Sequence, residues 1–297
     1  MTRTWKSSTS WKSWWSSGFP AEAGRYHLYA AVACPWAHRT VLMRKLKQLD
    51  AVIPLLESDL PKGQGWAYSR GFDDLVPLKG VFHVHQVYTA AQRDYTGRVT
   101  VPVLWDKERR TIVNNESSEI IRMFNSAFDR WGDAGLDFYP ADRRRAIDEI
   151  NAVVYDTVNN GVYKCGFATG QAAYDEAFAR LFQTLDELEA RLGRQRYLVG
   201  DRLTEADWRL FTTLVRFDPV YVGHFKCNKR RLVDYPNLWS YARELYQVAG
   251  VVETVNFQHI KNHYYQSQVT VNPSRIVAGG PDIDFAAPHN RARLKVA

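Results

Sequence analysis

The pattern of apolar residues changes along the chain, and this change constrains the fold more than any single motif. Up to about residue 126, short β-prone runs alternate with helical segments, whereas long amphipathic helices follow one another from about residue 141. Alternating strands and helices predict a sheet covered by helices, and successive amphipathic helices predict a bundle. The predicted fold class is therefore α/β plus all-α, with an α/β domain at 18–126 and an all-helical domain at 141–271.

The two ends of the chain lack the pattern of either domain. Residues 1–17 are rich in Trp, Ser and Lys and lack the apolar centre of a signal peptide, so they are interpreted as a leader that packs on the body or stays loose. Residues 272–297 predict an extended tail that is available to wrap a neighbour, because Gly and Pro recur in it, including Pro273, Gly279, Gly280 and Pro281.

Within the first domain, a β-prone run at Arg25 to Val32 is followed by a helix that starts at Cys34-Pro35. Ala51 to Leu56 predicts a second strand, and two short runs around Val103 and Ile112 predict a hairpin with a helix after Asn115. The first helix is read as amphipathic, with its basic residues away from the apolar side; they are Arg39, Arg44, Lys45 and Lys47. The segment 57–97 is polar and irregular, and its length suggests a functional loop.

Two segments of the second domain carry clear helix signals. One helix places apolar residues at spacings of three and four and ends at Gly193; the residues are Tyr174, Phe178, Leu181, Leu185, Leu188 and Leu192. Thr204 to Asp207 has the residue types of a capping box, so another helix is expected to start there.

Composition excludes several classes of function. The net charge of +7 comes from scattered basic residues, and this favours a small anionic ligand over a nucleic acid. Apolar runs are too short for a membrane span, and three widely spaced cysteines indicate a reducing compartment, so a cytoplasmic protein without a membrane partner is expected. His259 and His263 have metal-ligand spacing, but helix-surface pairs of this kind are common and no metal is predicted.

Cys34 is the residue with the strongest chemical signal. It lies where a strand turns into a helix, at the N-cap, with Pro35 at the first helical position. The partial positive charge of a helix N-terminus lowers the pKa of a thiol from about 8.5, so Cys34 is expected to be a reactive thiolate; the alternative is a cysteine that only packs. Ala37 replaces the second cysteine of a Cys-x-x-Cys pair, so an external thiol must resolve any mixed disulfide. His38 is interpreted as a polar residue on the helix surface.

Other groups of the first domain fit a small peptide that carries both an ammonium group and a carboxylate. Val101-Pro102 is a candidate cis-proline site whose backbone would pair with an extended ligand. Glu116 and Ser117 lie at a second helix start, where a carboxylate can bind an ammonium group and the hydroxyl and amides can bind a carboxylate. The alternative for both residues is a simple helix cap.

Two long motifs resemble a known family. Residues 18–29, leading into Ala33-Cys34-Pro35-Trp36-Ala37-His38-Arg39, and the motif at 159–168, Asn-Asn-Gly-Val-Tyr-Lys-Cys-Gly-Phe-Ala, are similar to the glutathionyl-hydroquinone reductases, the Xi class of glutathione transferases. The similarity extends from about Phe19 to Pro281, and the first sixteen residues do not match.

The resemblance implies a thioredoxin-like N-terminal domain, a helical C-terminal domain and a homodimer. It also implies that Cys34 is the nucleophile in reduction of glutathionyl-hydroquinones, with glutathione as co-substrate. The implied glutathione contacts are Trp66, Arg98, Val101, Glu116 and Ser117. Tyr163 and Tyr264 are implied to face the quinol and to hydrogen-bond its oxygens, although buried tyrosines also commonly serve structure alone.

Two other functions stay open from sequence. An omega-like thiol transferase or dehydroascorbate reductase would share Cys34 but lack the quinol-facing tyrosine pair. A non-catalytic binding protein would keep the fold without turnover. Substrate profiling distinguishes all three.

Overall fold

The computed structural model describes residues 18–59, 65–68 and 82–294, with the side chain of Phe82 excluded. They form two compact units that divide between Asp137 and Phe138. The leader 1–17 lies outside the described residues, as do residues 60–64 and 69–81 of the segment predicted to be irregular. Each helix in the described ranges is too short or too polar to cross a bilayer.

The first unit is built on a four-stranded sheet. Its strands are β1 (Tyr26–Ala30), β2 (Leu55–Glu57), β5 (Val103–Asp106) and β6 (Thr111–Asn114), in the spatial order β2-β1-β5-β6. The β1 and β2 strands are parallel, while β1 with β5 and β5 with β6 are antiparallel. The predicted strand at 51–56 is wrong in its first half, because the amides of Val52 and Ile53 bond to the carbonyl of Leu49 in a turn.

Helix α1 (Pro35–Leu46) is buried on almost every side, which contradicts the amphipathic interpretation. His38 is fully buried and Arg39 is 2% exposed, so the prediction of a surface histidine is also wrong. The basic residues are accommodated by specific partners, since Arg44 binds the Asp50 carboxylate and Lys47 binds Asp129 at 2.9 Å. A cation with such partners can be buried, which residue type alone does not reveal.

The segment predicted to be irregular contains regular structure in its described part. A two-stranded antiparallel pair joins β3 (Ala67–Tyr68) to β4 (Phe82–His83), and α2 (Val84–Ala91) follows. The buried Val84, Val87 and Tyr88 have the spacing of a helix, a signal that the eight-residue length made easy to miss. Helix α3 (Ser117–Ser126) begins as predicted after the β5–β6 hairpin.

The second unit is built from helices up to Ser267. Its helices are α4 (Arg144–Val154), α5 (Gly161–Gly166), α6 (Gln171–Leu192), α7 (Glu205–Leu214), α8 (Pro236–Tyr246) and α9 (Phe257–Ser267). Two π-helical turns, Tyr155–Asn159 and Phe217–Tyr221, precede α5 and follow α7. The predicted capping box of α7 is confirmed, with Asp207 accepting from the amide and hydroxyl of Thr204.

Helix α6 ends at Gly193 as predicted, but Gly193 has a φ of −72° and is not a left-handed cap. A Cβ at this position would lie 3.1 Å from the side-chain nitrogen of Asn237. Close approach of Asn237, which bonds to the Glu189 carboxylate at the end of α6, therefore accounts for the glycine.

The tail packs against helices of its own unit. Phe285 is buried, and the buried Arg291 donates to the carbonyl of Leu192 at 2.6 Å. Within 272–294 the only helix is a short turn at Arg291–Arg293.

Candidate active site

Cys34 lies directly after β1, at the N-cap of α1. Its amide donates to the carbonyl of Ala31, and its carbonyl accepts from the amide of His38, so the residue begins the helix. Pro35 occupies the first turn as predicted. The thiol is free of any disulfide and the residue is 9% exposed. The positive end of the α1 dipole stabilises a thiolate at this position.

Tyr68 belongs to the surroundings of Cys34 and was missed by sequence analysis. Its ring packs edge-on against Tyr29 at 5.8 Å between centroids. Burial first, and then the charges of Tyr29, Tyr88 and Cys34, raise its pKa well above the usual value. Tyr68 therefore stays a neutral phenol near the thiol.

The backbone before β5 is fixed by a small polar network. The Val101–Pro102 peptide bond is cis, as predicted, and Val101 is buried. The Tyr88 hydroxyl donates to the carbonyl of Thr100 at 2.9 Å, and Asn115 Nδ2 donates to the Tyr88 oxygen at 3.1 Å. Tyr88 and Asn115 thus hold the segment that leads into Val101, and no pattern in the sequence predicted this role.

Glu116 and Ser117 lie at the start of α3, where the helix-cap interpretation proves correct. One carboxylate oxygen of Glu116 accepts from the Ser118 amide at 3.0 Å and from the Ser117 hydroxyl at 3.4 Å. Glu116 is exposed while Ser117 is buried. A carboxylate has four acceptor positions, so capping leaves Glu116 able to accept from a ligand as well.

Trp66 and Arg98 also belong to the first unit. The carbonyl of Trp66 accepts from the amide of Val84 at 2.9 Å, where the β3–β4 pair leads into α2, and its side chain is half-buried. Arg98 is exposed, and its carbonyl accepts from the hydroxyl of Tyr95. The five implied glutathione contacts therefore all belong to the first unit.

In the second unit, three tyrosine hydroxyls form a continuous chain, called here the phenol cluster (Tyr163, Tyr221 and Tyr264). The hydroxyl oxygens of Tyr163 and Tyr264 are 2.6 Å apart, and those of Tyr221 and Tyr264 are 2.9 Å apart. Tyr163 is half-buried, while Tyr221 and Tyr264 are fully buried. Burial raises the pKa of Tyr221 and of Tyr264 well above 10, so both remain proton donors at neutral pH.

Aromatic rings surround the phenol cluster. Phe225 lies 5.3 Å from the Tyr163 ring and is stacked on Tyr221 at 5.4 Å. A Cβ at Gly166 would come within 2.2 Å of the Phe225 ring, so only glycine fits at the end of α5. Phe167, 46% exposed, has its ring parallel to that of Tyr163.

Backbone irregularity places two of the three phenols. Tyr221 ends one π-helical turn, and the other π-helical turn ends at Asn159, just before α5 and Tyr163. Asn159 Nδ2 donates to the Thr213 hydroxyl at 2.7 Å, which ties the start of α5 to α7. π-helical turns are frequent at functional sites. Tyr221 was missed because one tyrosine among 16 gives no sequence signal.

The histidines of α9 show no metal geometry. Within the described residues, no group of three or more His, Cys, Asp or Glu could hold a metal ion. Burial lowers the pKa of His263 to about 3, and its Nδ1 lies 3.2 Å from the Ser267 hydroxyl. His263 is therefore neutral and bonded within its own helix.

Cys165 and Cys227 are free and only 2% and 0% exposed, whereas Cys34 is 9% exposed. A hydrogen bond to Cys165, together with burial, raises the pKa of the Cys227 thiol. Both sulfurs are thus shielded from reagents in solution, which leaves Cys34 as the accessible thiol among the three.

A mixed sheet unit with a cysteine at the first helix N-cap, followed by a helical unit, is the architecture of glutathione transferases. The sequence profiles of the Glutathione S-transferase N-terminal and C-terminal domains match residues 33–127 and 171–244. The Glutathionyl-hydroquinone reductase YqjG of Escherichia coli is 54% identical over 93% of this chain and 85% of its own. The Glutathionyl-hydroquinone reductase PcpF of Sphingobium chlorophenolicum is 56% identical over 89% and 85%.

Solved structures agree with these matches. The glutathione-bound structure of E. coli YqjG superposes with a TM-score of 0.88, covering 93% of this chain and 90% of that one. The Xi Class GST from Natrialba magadii has a TM-score of 0.89 at 50% identity, covering 93% and 85%. The chain therefore belongs to the glutathione transferase family, in its Xi class of glutathionyl-hydroquinone reductases. The predicted thioredoxin-like and helical fold is confirmed.

Proposed function

We propose that this protein reduces glutathionyl-hydroquinones to hydroquinones with glutathione as reductant. The Cys34 thiolate attacks the sulfur of the substrate, the sulfur–aryl bond breaks, and the aryl carbon takes up a proton. A Cys34–glutathione disulfide remains. The thiolate of a second glutathione then attacks the glutathione sulfur of this disulfide, which releases glutathione disulfide and restores the Cys34 thiolate.

The observation that carries this proposal is the position of Cys34 in a chain so similar to two proteins named for this reaction. Cys34 is the N-cap of α1, and Ala37 stands where a resolving cysteine would be. The similar proteins are 54% and 56% identical over about nine-tenths of the chain. A thiolate without an internal resolving partner requires an external thiol, and glutathione is the ligand in the YqjG structure.

We assign glutathione to the first unit. An extended ligand is proposed to pair with the backbone of Val101, two residues before β5. The exposed Glu116 carboxylate is a partner for the ammonium group, and the amides at the start of α3 with Ser117 are partners for a carboxylate. Trp66 and Arg98 complete the proposed contacts.

We assign the quinol to the phenol cluster. Tyr163 and Tyr264 supply hydroxyl groups that donate to the hydroquinone oxygens and stabilise the negative charge that develops as the sulfur–aryl bond breaks. Tyr221, at 2.9 Å from Tyr264, polarises that hydroxyl further.

Replacement of Tyr163 and Tyr264 by Phe, singly and together, is expected to slow reduction of glutathionyl-hydroquinones. Loss of a desolvated donor raises the barrier by about 1 to 3 kcal/mol. The double variant is the sharper probe because the hydroxyls bond to each other and their effects will not add. Steady-state kinetics measures kcat, and the reaction of Cys34 with a small disulfide should stay unchanged.

Tyr174→Phe is the matched control, since Tyr174 bonds to the carbonyl of Lys226 and lies outside the phenol cluster. It should keep the parental rate. Parental turnover in the double variant would instead leave Tyr163 and Tyr264 with a structural role only.

The test of the proposed function is a panel of glutathionyl-hydroquinones assayed with glutathione, with hydroquinone and glutathione disulfide both quantified. Equal amounts of the two products support the proposal. Activity on dehydroascorbate without activity on the panel would favour an omega-like thiol transferase, and no turnover of either substrate would indicate a binding protein.

We propose that the protein is a cytoplasmic homodimer. The three described cysteines are free, as expected in a reducing compartment. Large apolar side chains of the second unit are exposed and suited to a self-complementary contact, including Val153 and Tyr155, which are 45% and 44% exposed. Sedimentation equilibrium should give about twice the 34.2 kDa chain mass, and a concentration-independent monomer would contradict the dimer.

A further inference from the structure

The described tail contacts α8 and α9 of its own unit at several separate points. We call residues 272–293 the C-terminal strap. It includes the short turn Arg291–Arg293 and otherwise lacks helix or strand, so its position depends on contacts with the helices. These contacts comprise an anchor at the far end, hydrogen bonds from Arg243 and Gln247 of α8, and three contacts with α9, called here grips.

The anchor is Arg291, which is fully buried. Its guanidinium donates to the carbonyls of Leu192 at 2.6 Å and Gln195 at 3.0 Å, just beyond α6. Its Nε also lies 3.5 Å from the Glu244 carboxylate on α8. The two carbonyls accept from both Nη atoms and the Glu244 carboxylate opposes the positive charge, so these partners fix the end of the strap.

The first grip is an aromatic contact at the start of α9. Phe285 is 3% exposed and lies between Trp239 and Tyr246 of α8 and Phe257, the first residue of α9. The Phe285 and Phe257 ring centroids are 5.5 Å apart and the rings are stacked. Aromatic pairs in this geometry stabilise the packing by more than the buried area alone would.

The second and third grips follow along the helix. Lys261 Nζ donates to the carbonyls of Gly279 at 2.8 Å and Gly280 at 3.0 Å. Near the end of α9, Asn272 Nδ2 donates to the carbonyl of Tyr265 at 2.7 Å. The strap therefore contacts α9 near its start, middle and end.

Helix α9 depends on such contacts because it has only 11 residues. Isolated helices of this length are marginal in water, so packing holds them in place. The helix carries Tyr264, whose hydroxyl must lie 2.6 Å from Tyr163 and 2.9 Å from Tyr221 to complete the phenol cluster. Lys261 is one helical turn before Tyr264.

We propose that the C-terminal strap positions Tyr264 for the reaction, with Lys261 and Phe285 as positioning residues. The strap holds α9 in place through the three grips, and α9 holds the Tyr264 hydroxyl in the phenol cluster. The catalytic part of this inference rests on the proposed role of Tyr264, whereas the hold on α9 does not.

The test compares Lys261→Met, which removes the donors, with Lys261→Arg, which keeps them. Lys261→Met should lower kcat for glutathionyl-hydroquinones about tenfold, because small displacements of a positioned group cost that much or more. It should leave KM for glutathione and the reaction of Cys34 with a small disulfide unchanged. Lys261→Arg should restore most of the rate, and Lys229→Met, at a lysine that pairs with Asp186, should have no effect.

Amide hydrogen exchange gives a readout that does not depend on turnover. Lys261→Met and the milder Phe285→Leu should raise exchange in residues 257–267, with little change in α6. Unchanged exchange in 257–267 together with parental kcat would overturn the proposal. The proposal would also be overturned if the variants lost reduction of glutathionyl-hydroquinones and reaction with a small disulfide equally, with amide exchange raised throughout the second unit. The strap would then contribute only to stability.

The two proposals fail in distinguishable ways. If the parental protein does not turn over glutathionyl-hydroquinones, the proposed function fails, and the exchange of residues 257–267 still decides whether the strap holds α9. If the parental protein is active and the variants match it, only the strap proposal fails.

Discussion

Cys34→Ser is expected to abolish reduction of glutathionyl-hydroquinones, lowering turnover by about three orders of magnitude or more. A serine hydroxyl has a far higher pKa than a thiol and cannot form the disulfide with glutathione. The position at the N-cap of α1 motivates the assignment, since the helix terminus stabilises a thiolate. Steady-state assay of hydroquinone release measures the loss.

The other two cysteines provide matched controls. Cys165→Ser and Cys227→Ser should retain most of the turnover, since both side chains are buried and neither lies at a helix N-terminus. A Cys34→Ser protein that kept most of its activity would show that the nucleophile had been assigned to the wrong residue.

Asp106→Ala is expected to lower the free energy of unfolding by about 1.5 to 3 kcal/mol, because it removes the main partner of the Arg25 cation, which keeps only Glu22 and Glu108. Asp106 is fully buried, and its carboxylate accepts from Arg25 Nη2 at 2.7 Å and Nε at 3.1 Å. Its other oxygen accepts from the amide of Glu108 at 2.9 Å, which shapes the β5–β6 turn. Chemical denaturation followed by circular dichroism measures the change.

Glu108→Ala serves as the control for this pair. Glu108 also contacts Arg25, at 2.8 Å, but its side chain is 61% exposed. Ion pairs in solvent contribute about 0 to 1 kcal/mol, so the control should be close to parental stability. Equal effects of the two substitutions would mean that burial of Asp106 does not decide the strength of the pair.

Local sequence signals predicted the parts of the fold that depend on neighbouring residues. Cys34-Pro35 predicted a helix start, and Thr204 with Asp207 predicted a capping box, because a cap is formed by residues within one turn. The cis bond before Pro102 was also predicted from the residue pair and its place at a strand. None of these features depends on residues that are distant in the sequence.

Features that depend on distant partners were predicted poorly. The sequence pattern placed Lys47 away from the apolar side of the first helix, yet Lys47 is buried. Asp129 and the carbonyl of Leu136, each more than 80 positions away, accept its hydrogen bonds. Tyr221 was missed for the same reason, since its partner Tyr264 is 43 positions away. Only the folded first unit brings Lys47 to Asp129, and only the folded helical unit brings Tyr221 to Tyr264.

The most direct test of the central claim is a single turnover without added glutathione. One equivalent of a glutathionyl-hydroquinone is mixed with the reduced protein, and the released hydroquinone and the intact protein mass are measured together. The proposed mechanism predicts one equivalent of hydroquinone and one glutathionyl group on the peptide that contains Cys34, removed when glutathione is added. Release of hydroquinone with an unmodified Cys34, or a glutathionyl group on Cys165 or Cys227, would contradict it.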